Sequence, residues 1–296
     1  MITIKRSRED LIFDIVIYLV LGFSFLVVAY PLYFLVIASI SDPYAVLNGD
    51  VIFYPLHITF DGYQRIFRDH SIWNGYMNTI IYTVVGTILN VALTIMIAYP
   101  LSRKYFSGRK IIMWFLMITM YFNGGLIPTY LLVKSMGLRN NWMIMVILGA
   151  VSIYNIIITR SFLESNIHEE LEQAASIDGC SQFVFFIKMV LPLSKAIIAV
   201  LVLYYGVSHW NDFMRALIYL SDQKKYPLQL ILRTILIQTQ MSANMTDDIQ
   251  ELEQQMRAAE SIKYGVIIVS SLPVLVIYPF LQRYFIQGVM IGSIKG

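Results

Sequence analysis

Cysteine is almost absent: Cys180 is the only one in 296 residues. An internal disulfide is excluded, and so is a metal site built on cysteines. Histidine is scarce as well. His57, His70, His168 and His209 stand far apart, without the spacing of metal ligands. Charged residues make up only 14% of the chain, too few for a soluble protein of this length. The net charge is +3, and no basic run is interleaved with aromatics, so nucleic acid is not an expected partner. Enzyme motifs are missing too. There is no Gly-x-x-x-x-Gly-Lys-Ser/Thr loop, so the chain cannot itself cradle ATP phosphates. Neither Gly-x-Ser-x-Gly nor His-Glu-x-x-His occurs. Low-complexity tracts and strong internal repeats are also lacking.

What is abundant is apolar: 57% of the residues, with a mean hydropathy of +0.64. A spanning helix needs about 20 such residues. Runs of that kind occupy roughly 15–40, 76–100, 111–133, 142–163, 195–220 and 262–286. They predict an all-α membrane protein of six spans in a single domain, 1–296. The first run follows Lys5, Arg6 and Arg8. It is too long for the apolar core of a signal peptide and is expected to be a retained helix. Short loops fix orientation: Arg103, Lys104, Arg109 and Lys110 lie in one, against Lys134 and Arg139 in the next. Both termini and the loop 164–194 are then expected in the cytoplasm, and the segments 41–75 and 221–260 outside. Within the latter, 247–257 reads as a polar helix with Ile249, Leu252 and Met256 at helical spacing. It suits a protein partner or the membrane surface.

The loop 164–194 holds a short amphipathic segment, Glu170-Leu-Glu-Gln-Ala-Ala-Ser-Ile-Asp-Gly179, then Val190-Leu-Pro192. Asn166 is the expected N-cap, with Glu169 three residues on as its capping-box partner. Leu171, Ala174 and Ala175 should share a face. Gly179 fits the left-handed position that ends a helix, and Ser181 can cap a second helix running to Pro192.

Polar residues inside spans are costly unless they pair or line a cavity. Asn78, Tyr82, Gly86 and Asn90 recur every four residues on the second span, and Ser152, Asn155 and Thr159 share a face on the fourth. Asn123-Gly124-Gly125 and Pro128 interrupt the third, which predicts unwound backbone. Trp210 and Asn211 set an aromatic face beside an amide. Two readings stay open for these groups: bonding between helices, or a hydroxyl- and amide-lined path for a sugar.

The segment at 170–192 resembles the cytoplasmic coupling ("EAA") loop of ABC importer permeases of the maltose-type carbohydrate group. The resemblance rests on Gln173-Ala174-Ala175, Asp178-Gly179 and Leu191-Pro192. Tyr99–Arg103, Phe122–Tyr130, Trp210-Asn211, Tyr278–Arg283 and the tail Gly288–Gly296 are also similar to that family. Gln173 departs from its usual glutamate, with Glu170 and Glu172 close by, and Cys180 stands where alanine is common. The resemblance implies a six-helix type I importer permease forming half of the path of an ATP-driven sugar importer, with oligosaccharides favoured. It implies a paralogous permease, two ATPase subunits that bind ATP and magnesium, and an extracytoplasmic solute-binding protein met by the loop 221–260. This chain would carry no cofactor or metal of its own and would sit in a bacterial cell membrane. Glu170, Glu172, Gln173, Ala174, Ala175, Asp178, Gly179 and Pro192 would form the ATPase-coupling surface, and Gly288, Gly292, Lys295 and Gly296 would reach the ATPases. Asn78, Tyr82, Asn90, Asn123, Asn155, Trp210 and Asn211 are the candidates for the substrate path. A permease for a peptide or amino acid shares the coupling loop but not the carbohydrate-type C-terminal stretches. A secondary transporter would want carboxylates within the spans, and the inner spans have almost none.

Overall fold

The computed structural model describes residues 8–243, 260, 262–276, 279 and 282. Every regular element among them is helical. The chain divides into two compact units, Met1–Asp69 with Thr234–Ser271, and His70–Arg233 with Leu272–Gly296.

In the first unit, α1 (Arg8–Ser39) is 32 residues long. At about 1.5 Å per residue it reaches about 48 Å, more than the hydrocarbon core of a bilayer. It is apolar all round, and large side chains such as Phe13, Tyr18, Phe23 and Leu32 are exposed along it. Such a helix is stable only in lipid or against another protein. Its C-terminal end is the part that packs within the unit. Ile37 and Ala38 form a small core with Ala45, Val46 and Val51, joined by Tyr264. Asp42 accepts from Tyr44 N and starts α2 (Pro43–Leu47), with Pro43 in the first turn, where its missing N–H costs nothing. On α3 (Asp61–Arg68), Tyr63 donates its hydroxyl proton to Ser39 Oγ at 2.8 Å.

The second unit is built on α4 (His70–Ser102), 33 residues with one face buried. Next come α5 (Arg109–Tyr121), α6 (Leu126–Ser135), α7 (Ile144–Ile147), α8 (Ile153–Asn166) and α9 (Glu169–Ile177). Then follow α10 (Gln182–Leu193), which widens to a π turn at Phe186–Val190, α11 (Lys195–Trp210) and α12 (Met214–Tyr219). α13 (Leu228–Ala243) begins in this unit, and most of α14 (Ile262–Val276) belongs to the first. The principal packing is of α4 against α11 and α8. Its buried cores include Ile95, Val200, Leu201 and Tyr205 in one, Ala98, Leu101, Ile156, Leu163, Ile167, Phe185 and Val190 in another, and Tyr82, Val133, Ile144, Met145, Ala216 and Tyr219 in a third.

Three of the six expected spans are not continuous helices. The run at 111–133 breaks at Phe122–Gly125, where Asn123 Oδ1 accepts from Gly125 N at 3.0 Å, and the two halves meet at 111°. This is the interruption that Asn-Gly-Gly predicts. The run at 142–163 splits into α7 and α8, and that at 195–220 into α11 and α12. Among the described residues, α1 and α4 are long and apolar enough to cross a membrane alone, and the count reaches four if the bent pairs α5–α6 and α10–α11 are each one span. The last expected run, 262–286, lies partly outside the described residues. The breaks persist because side chains satisfy the freed backbone, as non-helical peptide at membrane depth requires. At the α7–α8 break Arg215 donates to Met145 O and Leu148 O, and Ser152 N donates to Tyr205 OH at 3.1 Å.

Candidate functional site

The segment α9–Gly179–α10 forms locally, much as its composition dictates. Glu169, Glu170 and Glu172 fill the first turn, where carboxylates complement the positive helix end. At the other end Asp178 is the last half-helical residue and Gly179 takes φ +75°. Gly179 N donates to Ser176 O at 3.1 Å and Cys180 N to Ala175 O at 2.9 Å. These two bonds are the Schellman pair that satisfies the last carbonyls. Ser181 Oγ then accepts from Val184 N at 3.4 Å and starts α10. α10 runs on through Pro192, as expected, and the chain bends by 76° into α11. The π turn sits just before Pro192, which has no N–H for the preceding turn.

Two local expectations are corrected. Asn166 is not the N-cap of α9. It is the last residue of α8, and its Nδ2 donates back to Phe162 O at 2.9 Å. His168 occupies the cap position without a side-chain bond. Nor do Leu171, Ala174 and Ala175 share one environment. Leu171 and Ala175 pack on the core of Leu163, Ile167 and Phe185, whereas Ala174 is exposed. Glu170, Gln173, Asp178 and Gly179 are exposed beside it, with Ile177 (87%) and Phe183 (72%). Large apolar side chains so exposed next to polar ones mark a surface awaiting a partner.

Glu172 differs from the other expected coupling residues because it is buried, 6% exposed. Its Oε2 lies 3.5 Å from Arg103 Nη1, and its Oε1 accepts from Tyr105 OH at 3.0 Å. Burial, then the bond to Glu172, raises the Tyr105 pKa above its ordinary value, so the phenol keeps its proton and goes on donating. Removing one partner of a buried pair costs about 3–5 kcal/mol, because the other charge stays inside. Beside this pair opens a cleft of about 800 Å³, lined by Lys104, Tyr105, Gln173, Ser176, Ile177 and Gln182.

The candidate path residues are drawn into internal bonds. Asn78 Nδ2 donates to Lys224 O (2.7 Å) and Tyr226 O (3.0 Å), Tyr82 OH to Lys225 O (2.9 Å), and Leu228 N to Thr79 Oγ1 (2.8 Å). The stripe on α4 thus clamps the segment 224–228. Asn90 is buried between α4 and α11. With its Oδ1 facing His209 Nε2 at 2.9 Å, its amide donates to Gly86 O (2.8 Å) and Ala150 O (3.2 Å). Asn155 is buried on α8, and Thr159 donates to its carbonyl at 2.6 Å. Trp210 is buried against Tyr76, and Asn211 donates back to Val207 O at 3.0 Å on the exposed end of α11. Asn123 is occupied at the α5–α6 break. Helix-to-loop bonding accounts for Asn78 and Tyr82, and helix-to-helix bonding for Asn90. Gly288, Gly292, Lys295 and Gly296, and the polar helix expected at 247–257, lie outside the described residues.

Sequence reasoning gave no role to Arg215 and none in the site to Arg103 or His209. Arg103 was legible as a basic orientation signal and as the end of the family-like stretch Tyr99–Arg103, and His209 only as an isolated histidine. Arg103 and His209 bond to partners far away in the chain, and Arg215 reaches Met145 O and Leu148 O while also pairing with Asp212 three residues before it.

Residues 90–291, which contain the α9–α10 segment, match the family described as "Binding-protein-dependent transport system inner membrane component". The chain belongs to this family. It is thus a membrane-embedded ABC importer permease, a transport component that works with a binding protein and separate ATPases and is not itself an enzyme. Relatives match over nearly the whole length. The "Polygalacturonan/rhamnogalacturonan transport system permease protein YtcP" of Bacillus subtilis (strain 168) is 37% identical over 289 residues, 97% of this chain and all of that one. "Protein LplC" of the same organism is 35% identical over 294 residues, 99% of this chain and 98% of that one. A chain in the crystal structure of a bacterial ABC transporter involved in the import of the acidic polysaccharide alginate is 32% identical. It superimposes with a TM-score of 0.85 over 96% of this chain and 100% of that one. The type I permease fold follows.

Proposed function

We propose that this permease forms half of the translocation path for an oligosaccharide, and that the substrate is acidic. The full-length match to relatives named for polygalacturonan and for the acidic polysaccharide alginate carries the reading. Both polymers bear a carboxylate on their sugar rings. The topology is six spans in a single domain with both termini inside, and on its outer surface Lys225 donates to Asn140 O at 2.7 Å and pairs with Asp222 at 3.7 Å. The second half of the path is a paralogous permease. One of two ATPase subunits docks at the exposed face of α9, whose Ile177 and Ala174 support that role, and the solute-binding protein meets the loop 221–260. Movement of α9 switches the path between inward- and outward-open states, a two-state equilibrium biased by ATP.

The test is uptake by the complete transporter in proteoliposomes, with oligogalacturonates, alginate oligosaccharides and neutral maltooligosaccharides offered separately. Saturable, ATP-dependent uptake of an acidic series is expected. Uptake of the neutral series alone would overturn the acidic assignment. No uptake of any saccharide, with ATP-dependent uptake of a peptide or amino acid, would overturn the sugar assignment.

A further inference from the structure

One nearly inaccessible arginine joins three elements of the second unit. Arg103 is 2% exposed and directly follows α4. Its Nη1 donates to Ile167 O at 3.1 Å and reaches Glu172 Oε2 at 3.5 Å, while Nη2 donates to Leu163 O at 3.4 Å. Its Nε is held by Ser102 Oγ at 3.1 Å, and the guanidinium carbon lies 5.2 Å from the centre of the Tyr99 ring. Tyr105 secures the other oxygen of Glu172. The end of α4, the C-terminal carbonyls of α8 and a carboxylate of α9 therefore converge on one cation.

Stability is a poor explanation for this arrangement. Apolar residues of similar volume usually serve a buried position as well as an ion pair does. Geometry is a better one. A guanidinium presents its donors in a rigid planar fork, so each partner is fixed in direction as well as distance. Water cannot replace a bond that opens at a buried site, so displacing any one partner strands a charge. The neighbouring pair Lys104–Glu169, also at 3.5 Å, is solvent-exposed and free to slide.

We propose that Arg103 is the joint that passes movement of α9 to α4: a positioning residue that makes the docking helix and the central spanning helix move as one body. The inference rests on the reading that α9 docks the ATPase. It predicts that the ATPase can stay bound and active while the path fails to respond.

The experiment replaces the pair with apolar residues, Arg103→Met together with Glu172→Leu, in the complete transporter. Three quantities are read: ATPase co-purification, ATP hydrolysis, and substrate imported per ATP. Bound, hydrolysing ATPase is expected, with import per ATP lowered about tenfold, the size of a typical coupling energy. Arg103→Lys keeps the cation but loses the fork, and should fall between this pair and the native complex. Native import per ATP in the apolar pair would overturn the proposal and leave Arg103 a folding element. If the pair does not assemble, spin labels at Lys104 and Ser176 decide, in a Cys180→Ser background with Arg103 and Glu172 intact. Their separation should stay constant between nucleotide-free and ATP-trapped states. A change of about 5 Å, the shift of one helical turn, would show α9 moving independently of α4 and overturn the joint. Failure of the docking reading has a different signature, because the ATPase would then be indifferent to changes in α9.

Discussion

Gly86 faces the imidazole of His209 so closely that a methyl group added there would overlap the ring. The ring cannot retreat easily, because Asn90, one turn along the same helix, holds its Nε2 at 2.9 Å. Gly86→Ala should therefore lose more from overpacking, about 1–3 kcal/mol, than it gains from helix propensity, about 1 kcal/mol. The unfolding midpoint of the purified permease in detergent measures this. A raised midpoint would mean that the histidine moves aside freely. The sequence marks Gly86 and Asn90 as members of one face, and that much is correct. It cannot supply the partner, since His209 lies 119 positions from Asn90 and is brought there only by α11 packing on α4. Arg103 is the stronger case. Its place after an apolar run reads as a topology signal, whereas its bonds to Leu163, Ile167 and Glu172 make it a buried hub.

For the α9–α10 element, the sequence specifies nearly everything that depends on neighbours within four residues. Gly179 at positive φ and Ser181 as a cap are both read correctly, because each is a response to orphan backbone groups close by. Asn166 is misread for a related reason. An asparagine before a helix is a good cap, but here α8 extends far enough to absorb it, and helix length is set by packing against α4 and α5. Gly179→Val tests the turn. A Cβ at this position would meet no atom within 4 Å, so the penalty comes chiefly from the backbone. Forcing a β-branched residue to φ +75° costs about 1–3 kcal/mol and should redirect α10 relative to α9. Membrane insertion should be unaffected, while ATPase co-purification or uptake falls. Normal co-purification with native uptake would remove Gly179 from the docking surface.

At the scale of the whole molecule, the loop 164–194 is expected on the cytoplasmic face of the membrane. The unique Cys180, partly exposed beside α9, reports it directly. An impermeant maleimide added to intact cells or spheroplasts should leave Cys180 unmodified, and inside-out vesicles stripped of ATPase should label it. Labelling from the outside would invert the loop 164–194 and with it the assignment of α9 to the ATPases. Membrane residence was legible from composition alone, because a chain with 57% hydrophobic residues has nowhere else to place them. The breaks between α7 and α8 and between α11 and α12 were not legible. Hydropathy windows register apolar content and pass over breaks that Arg215, Tyr205 and Asn90 stabilise from elsewhere in the fold.

By itself the sequence determined the membrane-helical class, the glycine turn and serine cap around α10, the break at Asn123–Gly125, and the family. Each of these is set by local backbone chemistry, by apolar content or by an ordered string of residues. Tertiary structure alone decided that Glu172 faces inward to Arg103 while Gln173 and Ala174 face out. It also decided that Asn78 and Tyr82 clamp the segment 224–226, and that α7 and α8 are separate helices. These outcomes depend on partners tens of residues away. A polar side chain in an apolar helix must find some partner, but only the packed fold determines which one.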